Sequence, residues 1–185
     1  MKIRGQGVVT QLSSSAILLL MMGMGNAQAA SDSATITITG RVVANTCTIS
    51  SGSKEQAIQL QSIADRDIQA KGATGGDNDV NIVLRDCGSA ASKVKVSAWG
   101  NADADDITAF ANAISSSDGG AEGVGLYFYQ TGGEKFLPDG SVTESSDLIP
   151  SADNTLIYKA AYVGTKGTVA AGSFMTVVNM GFEYL

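Results

Sequence analysis

The chain contains no histidine, and among its 185 residues only two are cysteine, two proline and one tryptophan. Without imidazole, neither a Ser-His-Asp triad nor a Cys-His nucleophile pair can form, and every zinc site that needs a histidine ligand is excluded. Two cysteines are too few for a four-thiolate zinc site. Basic residues are scarce as well: 12 Lys and Arg stand against 18 Asp and Glu, a net charge of −6. That balance argues against a nucleic-acid partner, which requires a basic face to displace counterions from phosphates. Aromatic residues make up 6% of the chain and hydrophobic residues 44%, which is enough for one modest core in one domain.

Apolar runs are short. The longest near the start, residues 16–24 (AILLLMMGM), follows Lys2 and Arg4 and precedes Asn26-Ala27-Gln28-Ala29, an A-x-A cleavage site. This is the layout of a secretory signal peptide over residues 1–29, with cleavage after Ala30 as a competitor. A membrane anchor would need about 20 predominantly apolar residues, and Thr10, Gln11 and Ser13 to Ser15 interrupt the stretch. Removal of residues 1–29 leaves 156 residues, two Met, and 10 basic against 18 acidic side chains, a net charge of −8. In an oxidising compartment, Cys47 and Cys87 are most simply a disulfide. A reactive or metal-binding pair would lack any other thiol or an imidazole to work with.

The periodicity is that of strands. Residues 36–39 (ITIT) alternate with β-branched side chains, and Val42 and Val43 continue the pattern beyond Gly40. Further strands are expected at residues 57–60, 80–84, 94–99, 124–129, 156–163 and 174–184. Residues 72–79, 115–120 and 145–154, rich in Gly, Ser, Asn and Asp, read as turns and loops. Residues 62–71 suit a short helical turn, and Trp99 is expected in the core. About seven short strands in one domain imply a β-sandwich.

Both ends of that domain carry unusual strands. In the last one, Phe174, Thr176, Val178, Met180, Phe182 and Tyr184 share one face. Such a strand at a sheet edge would template pairing with another chain. Near the other end, Ala34, Ile36, Ile38, Gly40 and Val42 share a face ahead of Cys47. This segment reads either as an ordinary first strand or as an arm with nothing local to pair with. An arm and an exposed edge together suggest strand exchange between subunits.

Gly172 fourteenth from the end with Tyr184 penultimate, the GRVVANTCTI stretch from Gly40, and Cys87 in LRDC resemble bacterial chaperone–usher fimbrial subunits. The SATITITG segment at residues 33–40 is similar to the start of the minor adaptor subunits of type 1 fimbrial tips. Leu185, Met180 and Gly181 depart from the usual pattern at positions that bear on groove shape. The resemblance implies an all-β, immunoglobulin-like sandwich (the pilin fold) that lacks its last strand and is completed by donor-strand exchange. It implies a donor arm at residues 30–41, carrying Ala34, Ile36, Ile38 and Gly40 with Val42 just beyond, and an incomplete domain at residues 42–185. Gly172, Phe174, Val178, Met180, Phe182, Tyr184 and Leu185 become the acceptor groove and chaperone-binding strand, with the Leu185 carboxylate as anchor. The implied partners are a periplasmic chaperone, an outer-membrane usher and neighbouring subunits of a surface fimbria, with no nucleic acid.

The implied role is a non-enzymatic structural subunit contributing to cell adhesion, at the tip as an adaptor or, alternatively, as the repeating rod subunit. A carbohydrate-binding adhesin is the alternative from another class, although 156 residues leave no room for a separate receptor domain. No cofactor is expected. Residues 101–106 (NADADD) resemble the opening of a calcium loop, but position six is Asp106 and position twelve is Asn112, so a solvated loop is expected and no metal. Gly119, Gly120, Gly123 and Gly125 do not fit a phosphate-cradling loop. Nothing marks a pair of carboxylates for glycoside cleavage.

Overall fold

A computed structural model describes residues 34–40 and 46–185. The expected signal peptide at residues 1–29 and the donor residue Val42 lie outside the described residues. The chain divides into Met1–Gly40 and Arg41–Leu185. Within the first, residues 34–40 belong to no strand and expose their side chains, Ile36 by 81% and Ile38 by 89%.

The second unit is a sandwich of two antiparallel sheets. Its strands are β1 (Thr48–Ile49), β2 (Thr74–Arg85), β3 (Lys93–Trp99), β4 (Phe110–Ala111), β5 (Val124–Tyr129), β6 (Asp139–Asp147), β7 (Asn154–Gly164) and β8 (Asn179–Tyr184). One sheet runs β1-β2-β7-β5-β4 and the other β6-β3-β8. A single helical turn at Ser51–Lys54 and 3-10 turns at Asp65–Ile68 and Ser116–Asp118 complete the elements. The helical turn expected within residues 62–71 is the second of these.

Alternation decides which side chains form the core. In β3, Val94, Val96 and Ala98 point inward and are fully buried, while Lys93 and Lys95 point out. Ile82 and Leu84 of β2, Leu126 and Phe128 of β5, and Leu156 and Tyr158 of β7 face them across the sandwich. Each fully buried Val or Leu contributes about 1.5–3 kcal/mol. Phe128, Phe136 and Tyr158 form an aromatic cluster with ring centroids 5.7 to 5.9 Å apart. The Cys47–Cys87 disulfide joins the segment before β1 to the one after β2, across a sequence separation of 40. Cys87 is buried beside Asn154, whose side-chain amide reaches its sulfur at 3.5 Å.

Several expectations change. Residues 72–79 are not mainly a turn, because β2 begins at Thr74 and carries a bulge between Gly75 and Asn78. Gly76 makes the bulge feasible with φ of +62°, where a side chain would also strike Ile63 and Tyr162. The expected loop at residues 145–154 starts inside β6, a strand whose polar outward residues hide its pattern. Residues 57–60 belong to no strand, and the expected strand at residues 174–184 is paired only over Asn179–Tyr184. Trp99 is not in the core. It lies on the face opposite Val94, Val96 and Ala98 and is 43% exposed.

Candidate functional site: an open apolar groove

β8 hydrogen-bonds β3 on one edge, in a register that sets Phe182 opposite Val96 and Tyr184 opposite Val94. Among the described residues, no strand pairs with its other edge. Beside that edge runs a groove of about 1040 Å³. Its floor is the inner face of the five-stranded sheet, with Val80, Ile82, Leu126 and Phe128. One wall is Phe174, Val178, Met180 and Phe182, and the other is Ile49, Ile58, Leu60 and Ile63.

The two walls share a backbone property. Residues 56–63 run past β2 without joining its ladder, held by side-chain bonds from Gln56 Nε2 to Asn81 O at 2.8 Å and from Asn78 Nδ2 to Gln59 O at 3.3 Å. Residues 174–178 are extended and also unladdered; there Met175 O accepts from Ala113 N at 2.7 Å, and Met175 N donates to Asn112 Oδ1 at 3.0 Å. Apart from Gln59 O and the Met175 N–H and C=O, the backbone groups of these two segments have no hydrogen-bond partner among the described residues and are available to an inserted strand.

Side chains on the groove face are half-buried without exception from Phe174 through Thr176, Val178, Met180 and Phe182 to Tyr184. The expected face is therefore the observed one. Phe174, Val178, Met180, Phe182 and Gly172 come together along the groove. Tyr184 lies beyond its end, packed on the core, and burial pushes its phenol pKa upward. Leu185 is exposed, its N–H donating to Lys93 O at 2.9 Å. Gly181 faces away from the groove, so it does not shape it. Gly172 has a definite role: a Cβ there would sit 2.4 Å from Ala121 N and 2.5 Å from Gly120 C. Only glycine lets the chain cross that backbone before it turns into the wall.

Sequence reasoning missed the second wall. Ile58 and Leu60 do alternate, but a strand assignment hid that they face an unfilled space. Donor-arm residues Ala34, Ile36, Ile38 and Gly40 belong to no strand and are exposed among the described residues.

The acidic loop does structural work. Asp103 Oδ1 accepts from the N–H groups of Asp105 and Asp106 at 2.9 and 3.1 Å. Asp106 accepts from Tyr127 Oη at 2.6 Å and Thr108 Oγ1 at 2.7 Å, and Lys135 Nζ lies 3.7 Å from the Tyr127 ring centroid. Partial burial pushes the Asp106 carboxyl up, but these hydrogen bonds outweigh it and hold the pKa below the usual value. The loop thereby covers Ala109, Tyr127 and Val163 on the outer face of the large sheet.

Comparison with known proteins accounts for this architecture. Residues 36–184 match the fimbrial protein family. The chain is 31% identical over 177 residues to the laminin-binding fimbrial subunit ElfA of Escherichia coli O157:H7, covering 91% of this chain and 96% of that one. It is 30% identical over 157 residues to long polar fimbria protein A of Salmonella typhimurium, covering 84% and 86%. The crystal structure of the P pilus rod subunit PapA shares the fold, with a TM-score of 0.62 at 21% identity, over 75% of this chain and 99% of that one. The open groove beside β8 thus belongs to an immunoglobulin-like pilin fold, and this chain is a member of the fimbrial protein family: an exported structural subunit of a cell-surface pilus, not an enzyme.

Proposed function

We propose that this subunit is polymerised by donor-strand exchange. The groove receives an extended segment from a neighbouring subunit, and residues 30–41 of this chain are the arm given in turn, after loss of a signal peptide at residues 1–29. The observation that supports this is the pair of unladdered rims, residues 56–63 and 174–178, facing each other across a half-buried apolar strip. An apolar strip of roughly several hundred Å² is an aggregation hazard for a free chain. An inserted strand would cover it and pair both rims. Ile36 and Ile38, and Val42 beyond them, would each contribute about 1.5–3 kcal/mol once fully buried. Gly40 would stand where the two backbones approach most closely. Before assembly, a periplasmic chaperone fills the groove with Leu185 as anchor, and exchange takes place at an outer-membrane usher.

Placement at the tip as an adaptor draws on the SATITITG arm. A second reading, the repeating shaft subunit, draws on the near full-length similarity to the fimbrial subunit ElfA of Escherichia coli K12. Replacing Ile36 and Ile38 with Asp should abolish joining to the preceding subunit and leave chaperone binding intact; normal polymerisation by that variant overturns the proposal. Immunogold labelling of intact fimbriae separates the positions, since signal at the tip alone means adaptor and signal along the length means shaft.

A further inference from the structure

Pairing with another chain needs a free strand edge, and among the described residues the two sheets end on four strands: β1, β4, β6 and β8. β1 and β4 are two residues long and offer little to pair with. That leaves β8, whose free edge borders the groove, and β6, at nine residues the longest of the four. The two differ in what they turn inward. β8 presents Met180, Phe182 and Tyr184, whereas β6 sets Glu144 opposite Val96 of the core.

Glu144 is half-buried, and its charge is felt inside the sandwich: burial first, and the Glu144 carboxylate second, push the Tyr158 phenol pKa upward. One carboxylate oxygen accepts from the Thr131 N–H at 3.2 Å and from the Thr131 hydroxyl, while Oε2 is buried without a partner. A glutamine would hold Thr131 equally well, so this tether does not account for the charge. Other features of β6 also oppose pairing. Thr143 and Asp139, four residues apart, face Ser97 and Trp99, two apart, so the edge is bulged, and Gly140 within the bulge has φ of +74°. Both prolines of the chain bracket the strand, Pro138 directly before it and Pro150 three residues after.

We propose that Glu144 is a specificity-determining residue that bars β6 from pairing with another chain, so that subunits join at the groove edge of β8 alone. A strand added to β6 would strip the remaining water from a carboxylate that has no ion-pair partner among the described residues. The barring of β6 stands by itself, and the choice of β8 as the remaining edge rests on the strand exchange proposed above.

The test uses purified full chain carrying Ile58→Asp, which sets a charge in the groove wall and suppresses association through the groove. In that background Glu144→Val should lower the concentration of half-association, read by sedimentation velocity, at least about tenfold. Amide hydrogen exchange along residues 139–147 should slow in the associated chain. Glu144→Gln keeps the hydrogen bonds from Thr131 and should shift association in the same direction; it carries the test if circular dichroism shows Glu144→Val to be unfolded. Thr131→Val removes the tether but keeps the charge, and should behave as the background chain. The proposal is overturned if the Glu144 variants associate no more readily than the background, if Thr131→Val associates as they do, or if the β6 amides exchange as before. Association that appears only when Ile58 is restored also overturns it and leaves the groove reading in place. A groove that accepts no arm would remove that reading and leave the β6 result unchanged.

Discussion

The ring of Phe174 meets the ring of Tyr162 edge to face, with centroids 5.3 Å apart and an interplanar angle of 85°. Phe174 belongs to the unladdered wall and Tyr162 to β7 of the opposite sheet, so this contact ties the start of the wall across the sandwich. Phe174→Ala removes the aromatic pair and a half-buried ring, and should destabilise the domain by about 1–3 kcal/mol. A denaturant midpoint equal to that of the parent chain would show that the contact holds nothing in place.

If the subunit repeats along the shaft, its own arm fits its own groove, and a synthetic peptide spanning residues 34–42 should bind there and raise thermal stability. At one hundred times its dissociation constant, linkage gives about 2.7 kcal/mol. The same peptide with Asp at positions 36 and 38 should give no shift. Equal shifts from both peptides would mean that the side chains do not enter the groove.

Gly172→Val should be more damaging than its surface position suggests. The added Cβ meets backbone atoms of Gly120 and Ala121 at 2.4 to 2.7 Å, and backbone cannot move aside as a side chain can. A loss of at least about 1–3 kcal/mol is expected, with a weakened groove wall. Gly167→Ala, where nothing lies within 4 Å, is the matched control and should be close to neutral.

Asp106 makes stability depend on acid. Its folded pKa lies below the ordinary 3.8, so its contribution is present above that value and fades as pH falls through the lower folded pKa. Tyr127 is displaced upward, first by burial and then by its hydrogen bond to Asp106, so its contribution persists through neutral pH and fades only in alkali, above the ordinary 10.0. Melting Asp106→Asn across acid pH should therefore show a shallower fall than the parent. Parallel profiles would remove Asp106 from the account.

Reduction of Cys47–Cys87 should lower stability by about 3–4 kcal/mol, the loop-closure value for a separation near 40 residues. The Cys47→Ser, Cys87→Ser double variant should unfold at a correspondingly lower denaturant concentration. Insensitivity to dithiothreitol of a chain shown to be reduced would contradict this.

Much of the groove wall was legible in the residues themselves. A period of two assigned Phe174, Val178, Met180 and Phe182 to one face, and the half-buried pattern follows it residue for residue. The position of Trp99 is legible too: its parity in β3 sets it opposite Val94, Val96 and Ala98, and that parity outweighs the general tendency of a lone tryptophan to be buried. β6 was hidden because Asp139, Ser141, Thr143, Ser145 and Asp147 all face outward, leaving few apolar residues to mark the inner side.

What the sequence determined by itself was local: alternation, the two cysteines available to pair, and the catalytic chemistries that a chain without histidine cannot support. These follow from bond geometry and residue inventory, which need no partner. Pairing is non-local, and only the tertiary structure decided it. Residues 174–178 and Asn179–Tyr184 share one pattern, yet only the second stretch is laddered to β3. Residues 56–63 likewise have strand-like chemistry and no ladder. A strand exists only where another backbone lies within hydrogen-bonding reach, and along the groove the described chain supplies none.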